Sequence, residues 1–101
     1  MILEVALLDV RAHQTEAFEQ AFQQAQVYIS RQKGYLSHRL QRSMEKANRY
    51  VLLVEWATLE DHTIGFRESE DYQHWKRLLH HFYDPFPVVE HFESINADTN
   101  D

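Results

Sequence analysis

The chain has 101 residues and a mass of 12.1 kDa, enough for one domain and too little for two. Hydrophobic residues make up 44% and charged residues 26%, with two Gly and two Pro, which excludes a disordered chain, a collagen-like repeat and a Gly/Pro-rich linker. A net charge of −6 repels nucleic acid and anionic membrane, so neither is an expected partner. Cys is absent, which excludes disulfides, thiolate metal sites and Cys nucleophiles. No apolar run is long enough to span a bilayer. The start Ile2-Leu3-Glu4-Val5 has neither a basic n-region nor an apolar h-region, so the expected location is the cytoplasm.

Residues 2–9 are short and apolar and read as a strand. From about 14 to 32 the period changes: Phe18, Phe22, Ala25 and Ile29 recur at helical spacing, with Glu16, Glu19, Gln20, Gln23 and Gln24 on the other side. Gly34 supplies a left-handed residue to stop this helix. Residues 35–43 form a polar strand, a turn follows at Glu45-Lys46-Ala47-Asn48, and 50–56 form the most apolar strand. Thr58 with Asp61 opens a short helix to about Phe66. Ser69, followed by Glu70 and Asp71, caps a second helix whose one face carries Tyr72, Trp75, Leu79 and Phe82. Pro85 and Pro87 end it, and 88–95 form the last strand. Residues 1–95 thus make a single domain, and the polar end, 96–101, reads as a disordered tail.

The order is β-α-β-β-α-β, an α+β, ferredoxin-like split repeat with an antiparallel four-stranded sheet and helices on one face. Strands one and three belong in the middle, since they are apolar on both sides, and the polar strand two belongs at an edge. The helices cover one face only. The other, roughly 500 Å² by strand rise and spacing, is near the largest apolar patch that a soluble monomer shows. A homodimer with its two sheets face to face is therefore expected. The competing expectation is a monomer whose open face is relieved by Glu4, Glu55 and Arg39.

A chain of this length and order, with Glu55-Trp56 ending strand three and then Asp61-His62, Phe66, Ser69, Tyr72, Trp75 and Phe82 through Pro87 to His91, resembles the antibiotic biosynthesis monooxygenase domain. The resemblance covers residues 1–95 and implies a dimeric α+β barrel. It also implies a cofactor-independent monooxygenase, an oxidoreductase acting on a phenol or quinol with O2. The alternative is a small-molecule-binding or stress-associated dimer of the same fold that does no chemistry. The haem-degrading branch of the superfamily is disfavoured. Its pattern needs an Asn on the first strand, a helical Trp and a ligating His, whereas here no Asn precedes Asn48, the Trp position falls at Phe66 and the ligand position falls at about Lys76.

Oxygenating a phenol without a cofactor needs a base in an apolar pocket, a donor for the resulting oxyanion, and aromatic walls for a flat substrate. The chain holds seven His, a residue type with an ordinary pKa of ~6.5. His62, on the same face as Phe66, is the first candidate base, against a capping or solvated role. His74, beside Trp75, is a second candidate, although it lies on the flank of the helix's apolar face. Tyr72 offers a hydroxyl to an oxyanion. His38, Phe66, Trp75 and Phe82 are candidate substrate-binding residues. His38 points either into the helix–sheet gap or to water, and the aromatic stripe serves core and pocket alike. His91, sharing a face with Val89 and Ile95, is expected at the dimer interface or supporting the site from behind. His80 and His81 point about 100° apart on a helix with no third ligand at a usual spacing, so no metal site is expected.

Overall fold

The structure, a computed structural model, describes residues 1–95; the segment 96–101 expected as a disordered tail lies outside them. Four strands, β1 (Ile2–Asp9), β2 (Tyr35–Arg42), β3 (Arg49–Trp56) and β4 (Val89–Glu93), form one antiparallel sheet in the order β2-β3-β1-β4. Helices α1 (Thr15–Ser30) and α2 (Glu70–Leu79) pack on one face. The two apolar strands are central and the polar strand is an edge, as their composition requires.

Alternation along the central strands divides the sheet. Glu4, Ala6 and Leu8 of β1 and Tyr50, Leu52, Val54 and Trp56 of β3 are buried beneath the helices. Leu3, Val5, Leu7, Val51 and Leu53 point the other way, with Leu7 47% exposed. This parity corrects the expectation for Glu4. It pairs with Val54 in the ladder and so lies under the helices, whereas Glu55 and Arg39 do lie on the open face.

Helix α1 buries Phe18, Phe22, Ala25 and Ile29. Phe22 meets Trp75 of α2 edge-on at 5.7 Å, and Phe18 packs on Tyr50, Phe82 and Tyr83. The helix ends at Ser30, earlier than its polar run suggests. Gly34 stands beyond it, with φ +84°, in the turn that enters β2. Arg31 instead ties the two helices together by donating to both carboxylate oxygens of Asp71, at 2.8 and 2.6 Å.

Between β3 and α2 the chain makes one π-turn, Asp61–Phe66, with Arg67 N donating to His62 O at 3.1 Å. The Thr58 hydroxyl accepts from Asp61 N at 3.1 Å, so the start signal in the sequence is a cap, although the turn it opens is wider than an α-helix. Positions four apart share a side in this wider turn as they do in an α-helix, and His62 and Phe66 both point inward and are both buried. Ser69 caps α2, its hydroxyl accepting from Tyr72 N at 3.1 Å. A three-residue 3-10 turn, His80–Phe82, continues α2 toward Tyr83.

Gly34 fixes where the π-turn sits: a Cβ there collides with the Asp61 side chain, and the positive φ is unfavourable to any L-residue. Gly34→Ala is expected to lower stability by at least about 1–2 kcal/mol, read as a lower urea midpoint with an unchanged slope.

Candidate functional site

A cavity of about 420 Å³ opens between the helices and the β1–β4 side of the sheet. Its sheet side is Ala6, Leu8, Leu52 and Val89; its walls are Phe66, Tyr72, Trp75, Tyr83 and Phe86. Phe66 stands nearly perpendicular to two of its fellow walls. Phe66 meets Tyr72 at 5.2 Å and 89°, and Trp75 at 5.7 Å and 77°. Such a slot matches a flat aromatic ligand in shape and in quadrupole. Its polar lining is Glu4, His62, Arg67, Tyr72, Tyr83 and His80.

Glu4 is the unusual member, since it is a carboxylate on a central strand with only 5% of its surface exposed. Trp56, its diagonal neighbour on β3, donates Nε1–H to Glu4 Oε1 at 2.9 Å. His62 Nε2 lies 3.4 Å from the same oxygen. The other ring nitrogen of His62, Nδ1, is 2.7 Å from His91 Nε2 on β4. The His62 ring is stacked on the Trp56 indole at 5.2 Å and 16°. A continuous polar chain thus runs Trp56, Glu4, His62, His91, drawing on β3, β1, the π-turn and β4.

Desolvation governs its charge. Burial raises the Glu4 carboxyl above its ordinary value, opposed by the Trp56 hydrogen bond and by the Arg67 charge. Burial pushes His62 down to about 3, with Arg67 and His91 adding to the effect. His91 is lowered by burial and by Arg67. His80, at the opposite wall, is lowered to about 4 by burial and by Lys76. The histidines of the cavity are therefore neutral near pH 7, each with one protonated nitrogen. Burial also raises the hydroxyls of Tyr72 and Tyr83, so both remain O–H donors. Arg67 supplies the cationic group, and among the described residues it makes no ion pair.

Of the residues singled out in the sequence, His62, Tyr72, Phe66 and Trp75 line this cavity. His74, His38 and Phe82 do not. His74 stacks on Tyr28 of α1 at 5.0 Å and 22°, beside Arg77 on the outer flank of α2. His38 sits between β2 and α1, bonded to Tyr35 Oη at 2.6 Å and Gln26 Oε1 at 2.9 Å. Phe82 is buried against Phe18, because the 3-10 turn rotates it out of the register that α2 would have continued. His91 faces the helices rather than the open side of the sheet and meets His62 at 2.7 Å, so of its two expected places it takes the one beside the site and not the interface. His80 and His81 diverge, His80 to the cavity and His81 against the Phe82 ring at 4.2 Å. Glu4, Arg67 and Tyr83 were not foreseen as site residues. For Glu4 a signal existed: it is a carboxylate with the same parity as Ala6 and Leu8.

A family model described as antibiotic biosynthesis monooxygenase matches residues 1–78. The protein YczJ of Bacillus subtilis (strain 168) is 54% identical over 95 residues, covering 94% of this chain and 100% of YczJ. A Bordetella bronchiseptica protein named as an antibiotic biosynthesis monooxygenase has a solved structure with TM-score 0.88 and 33% identity, covering 93% of this chain and 96% of that one. SnoaB, a cofactor-independent oxygenase from Streptomyces nogalater, shares the fold at TM-score 0.69 and 22% identity, over 92% of this chain and 91% of its own.

The shifts have opposite consequences for stability. Because His62 and His80 are lowered in the fold, their share of stability is complete above about pH 6.5 and is lost as pH falls toward 4 and below. Because Glu4 is raised, ionising it costs stability as pH climbs above its ordinary value of 4.5. Glu4→Gln keeps an acceptor for Trp56 and removes the buried charge. It is expected to raise unfolding stability near pH 7.5 by about 1 kcal/mol, and by much less near pH 4, in urea titrations at the two pH values.

Proposed function

This chain belongs to the antibiotic biosynthesis monooxygenase family, and on that premise we propose that it is a cofactor-independent monooxygenase oxidising a phenol- or quinol-type aromatic with O2. The observation that carries this reading is the cavity itself. It is a slot of about 420 Å³ that combines perpendicular aromatic walls with a buried polar chain at one end and a cationic side chain, Arg67. The ring of a phenol lies in the hollow bounded by Ala6, Leu8, Phe66, Trp75 and Phe86, with its hydroxyl toward Glu4.

Loss of the hydroxyl proton gives a phenolate that transfers one electron to O2. The phenoxyl radical and superoxide combine at a ring carbon, and the C–O bond forms. The O–O bond then breaks, the hydrogen at that carbon leaves as a proton, and a quinone and water result. One oxygen atom enters the product, and the substrate supplies the electrons that a cofactor supplies elsewhere. The aromatic lining keeps water from the radical pair. Tyr72 and Arg67 stabilise negative charge on the substrate oxygen.

Family members are typically dimeric, and the proposed working form is a homodimer joined through the open faces of the two sheets. Leu7, 47% exposed, and Phe92, 49% exposed, lie on that face with Leu3, Val5, Val51 and Leu53. Light scattering is expected to return twice the 12.1 kDa chain mass, and Leu7→Lys to return the monomer. A wild-type mass near 12.1 kDa contradicts this assembly.

Activity is tested by O2 uptake of metal-free protein with a panel of hydroquinones and anthrones. Uptake above autoxidation is expected for at least one, with Phe66→Ala reducing it tenfold or more. No uptake for any of them contradicts the oxygenase reading and leaves a binding protein of the same fold.

A further inference from the structure

We propose that Glu4 is the base that takes the substrate's hydroxyl proton, and that His62 and His91 are positioning residues that hold it for the purpose. The proposal rests on the oxygenase reading for its substrate class and on the geometry for its residues.

The two oxygens of Glu4 have different surroundings. Oε1 accepts from Trp56 Nε1 at 2.9 Å and faces His62 Nε2 at 3.4 Å. Oε2 makes no hydrogen bond among the described residues, and it is the oxygen that Glu4, lining the cavity, has left to offer a ligand. A carboxylate that is only 5% exposed, with one oxygen tied and one untied, is the arrangement required of a general base.

The obvious histidine is badly placed for that work. Both His62 nitrogens are turned to protein, Nε2 to Glu4 and Nδ1 to His91, so the ring's one lone pair is not free for a substrate. The 2.7 Å contact between His62 Nδ1 and His91 Nε2 carries one proton between the two rings. With Glu4 ionised, the consistent assignment is His62 Nε2–H directed at Glu4 and His91 Nε2–H donated to His62 Nδ1. His91 thus selects the His62 tautomer, and His62 directs its donor at Oε1. The 3.4 Å separation is a few tenths of an ångström longer than a strong hydrogen bond, as is common in unliganded sites.

The transfer balances. The substrate O–H bond breaks, a Glu4 Oε2–H bond forms, and the negative charge moves from the carboxylate to the substrate oxygen. No net charge is created inside the cavity. Arg67, from the residue after the π-turn, faces Glu4, His62, His91 and Tyr72 electrostatically and therefore attracts the charge before and after the transfer. The same proton is then at hand for the water that leaves. A substrate must accordingly carry an acidic hydroxyl on its ring, and an O-methylated analogue is bound without being turned over.

The test uses the full chain and 2-hydroxyanthraquinone, a phenol already at the quinone level, whose phenolate absorbs at longer wavelength than the phenol. Binding to the wild type is expected to produce the phenolate band and, in infrared difference spectra, a protonated-carboxyl band, with less than about one-tenth of a proton released to solvent per phenolate formed. In Glu4→Gln the carboxyl band is lost, and any phenolate that forms releases its proton one for one. In His91→Phe the carboxyl band falls several-fold while the probe still binds, since His62 is no longer held in the donating tautomer. Full proton release by the wild type, or a carboxyl band that survives Glu4→Gln, overturns the assignment. So does a His91→Phe spectrum equal to wild type. Because the probe is not oxidised, failure of this assay is distinct from failure to consume O2.

Discussion

A carboxylate buried on a central strand is the constraint around which this small domain is arranged. Taking an ionised carboxylate out of water is costly unless the protein replaces the lost hydration. Here Trp56 Nε1 supplies one hydrogen bond at 2.9 Å, His62 Nε2 stands at 3.4 Å, and Arg67 contributes charge. Each partner comes from a different element, so holding Glu4 fixes β1 against β3, the π-turn and, through His91, β4. The π-turn sets His62 and Phe66 inward, one completing the polar chain and the other walling the cavity.

The two faces of the sheet have separate tasks, and the period of two along β1 and β3 assigns them. Under the helices, Ala6, Leu8 and Leu52 are small or flexible enough to leave space beneath Phe66, Tyr72 and Trp75. Further along the helix layer Phe18, Phe22 and Tyr50 pack against one another. The opposite face carries Leu3, Val5, Leu7 and Leu53 together with Phe92. A single sheet thus presents a ligand-sized hollow on one side and an apolar plane on the other.

Much of this fold is legible in the sequence, since it depends on local period. The spacing of Phe18, Phe22, Ala25 and Ile29 marks α1, Ser69 marks the start of α2, and the polarity of residues 35–42 places β2 at an edge. The site is less legible, for three physical reasons. The parity of Glu4 was available from Ala6 and Leu8, but a lone acid on a strand is more often solvated, and only the ladder register with Val54 and the indole of Trp56 shows otherwise. The π-turn has the same start signal as an α-helix, so its extra residue is not visible beforehand. Finally, the pairing of His62 with His91 spans 29 positions and depends on β4 lying beside β1, which is a property of the whole topology. The same dependence on long-range packing sets His74 and His38 apart from the cavity despite their aromatic neighbours.

The central claim is that burial keeps the histidines of this chain neutral and tautomerically ordered around one buried carboxylate. Nitrogen-15 NMR of the histidine rings, followed through a pH titration, tests it most directly. The account predicts that His62 carries its proton on Nε2 near neutral pH and remains uncharged until the pH approaches about 3. A His62 ring that titrates near the ordinary ~6.5, or that shows an even mixture of its two neutral forms, contradicts it.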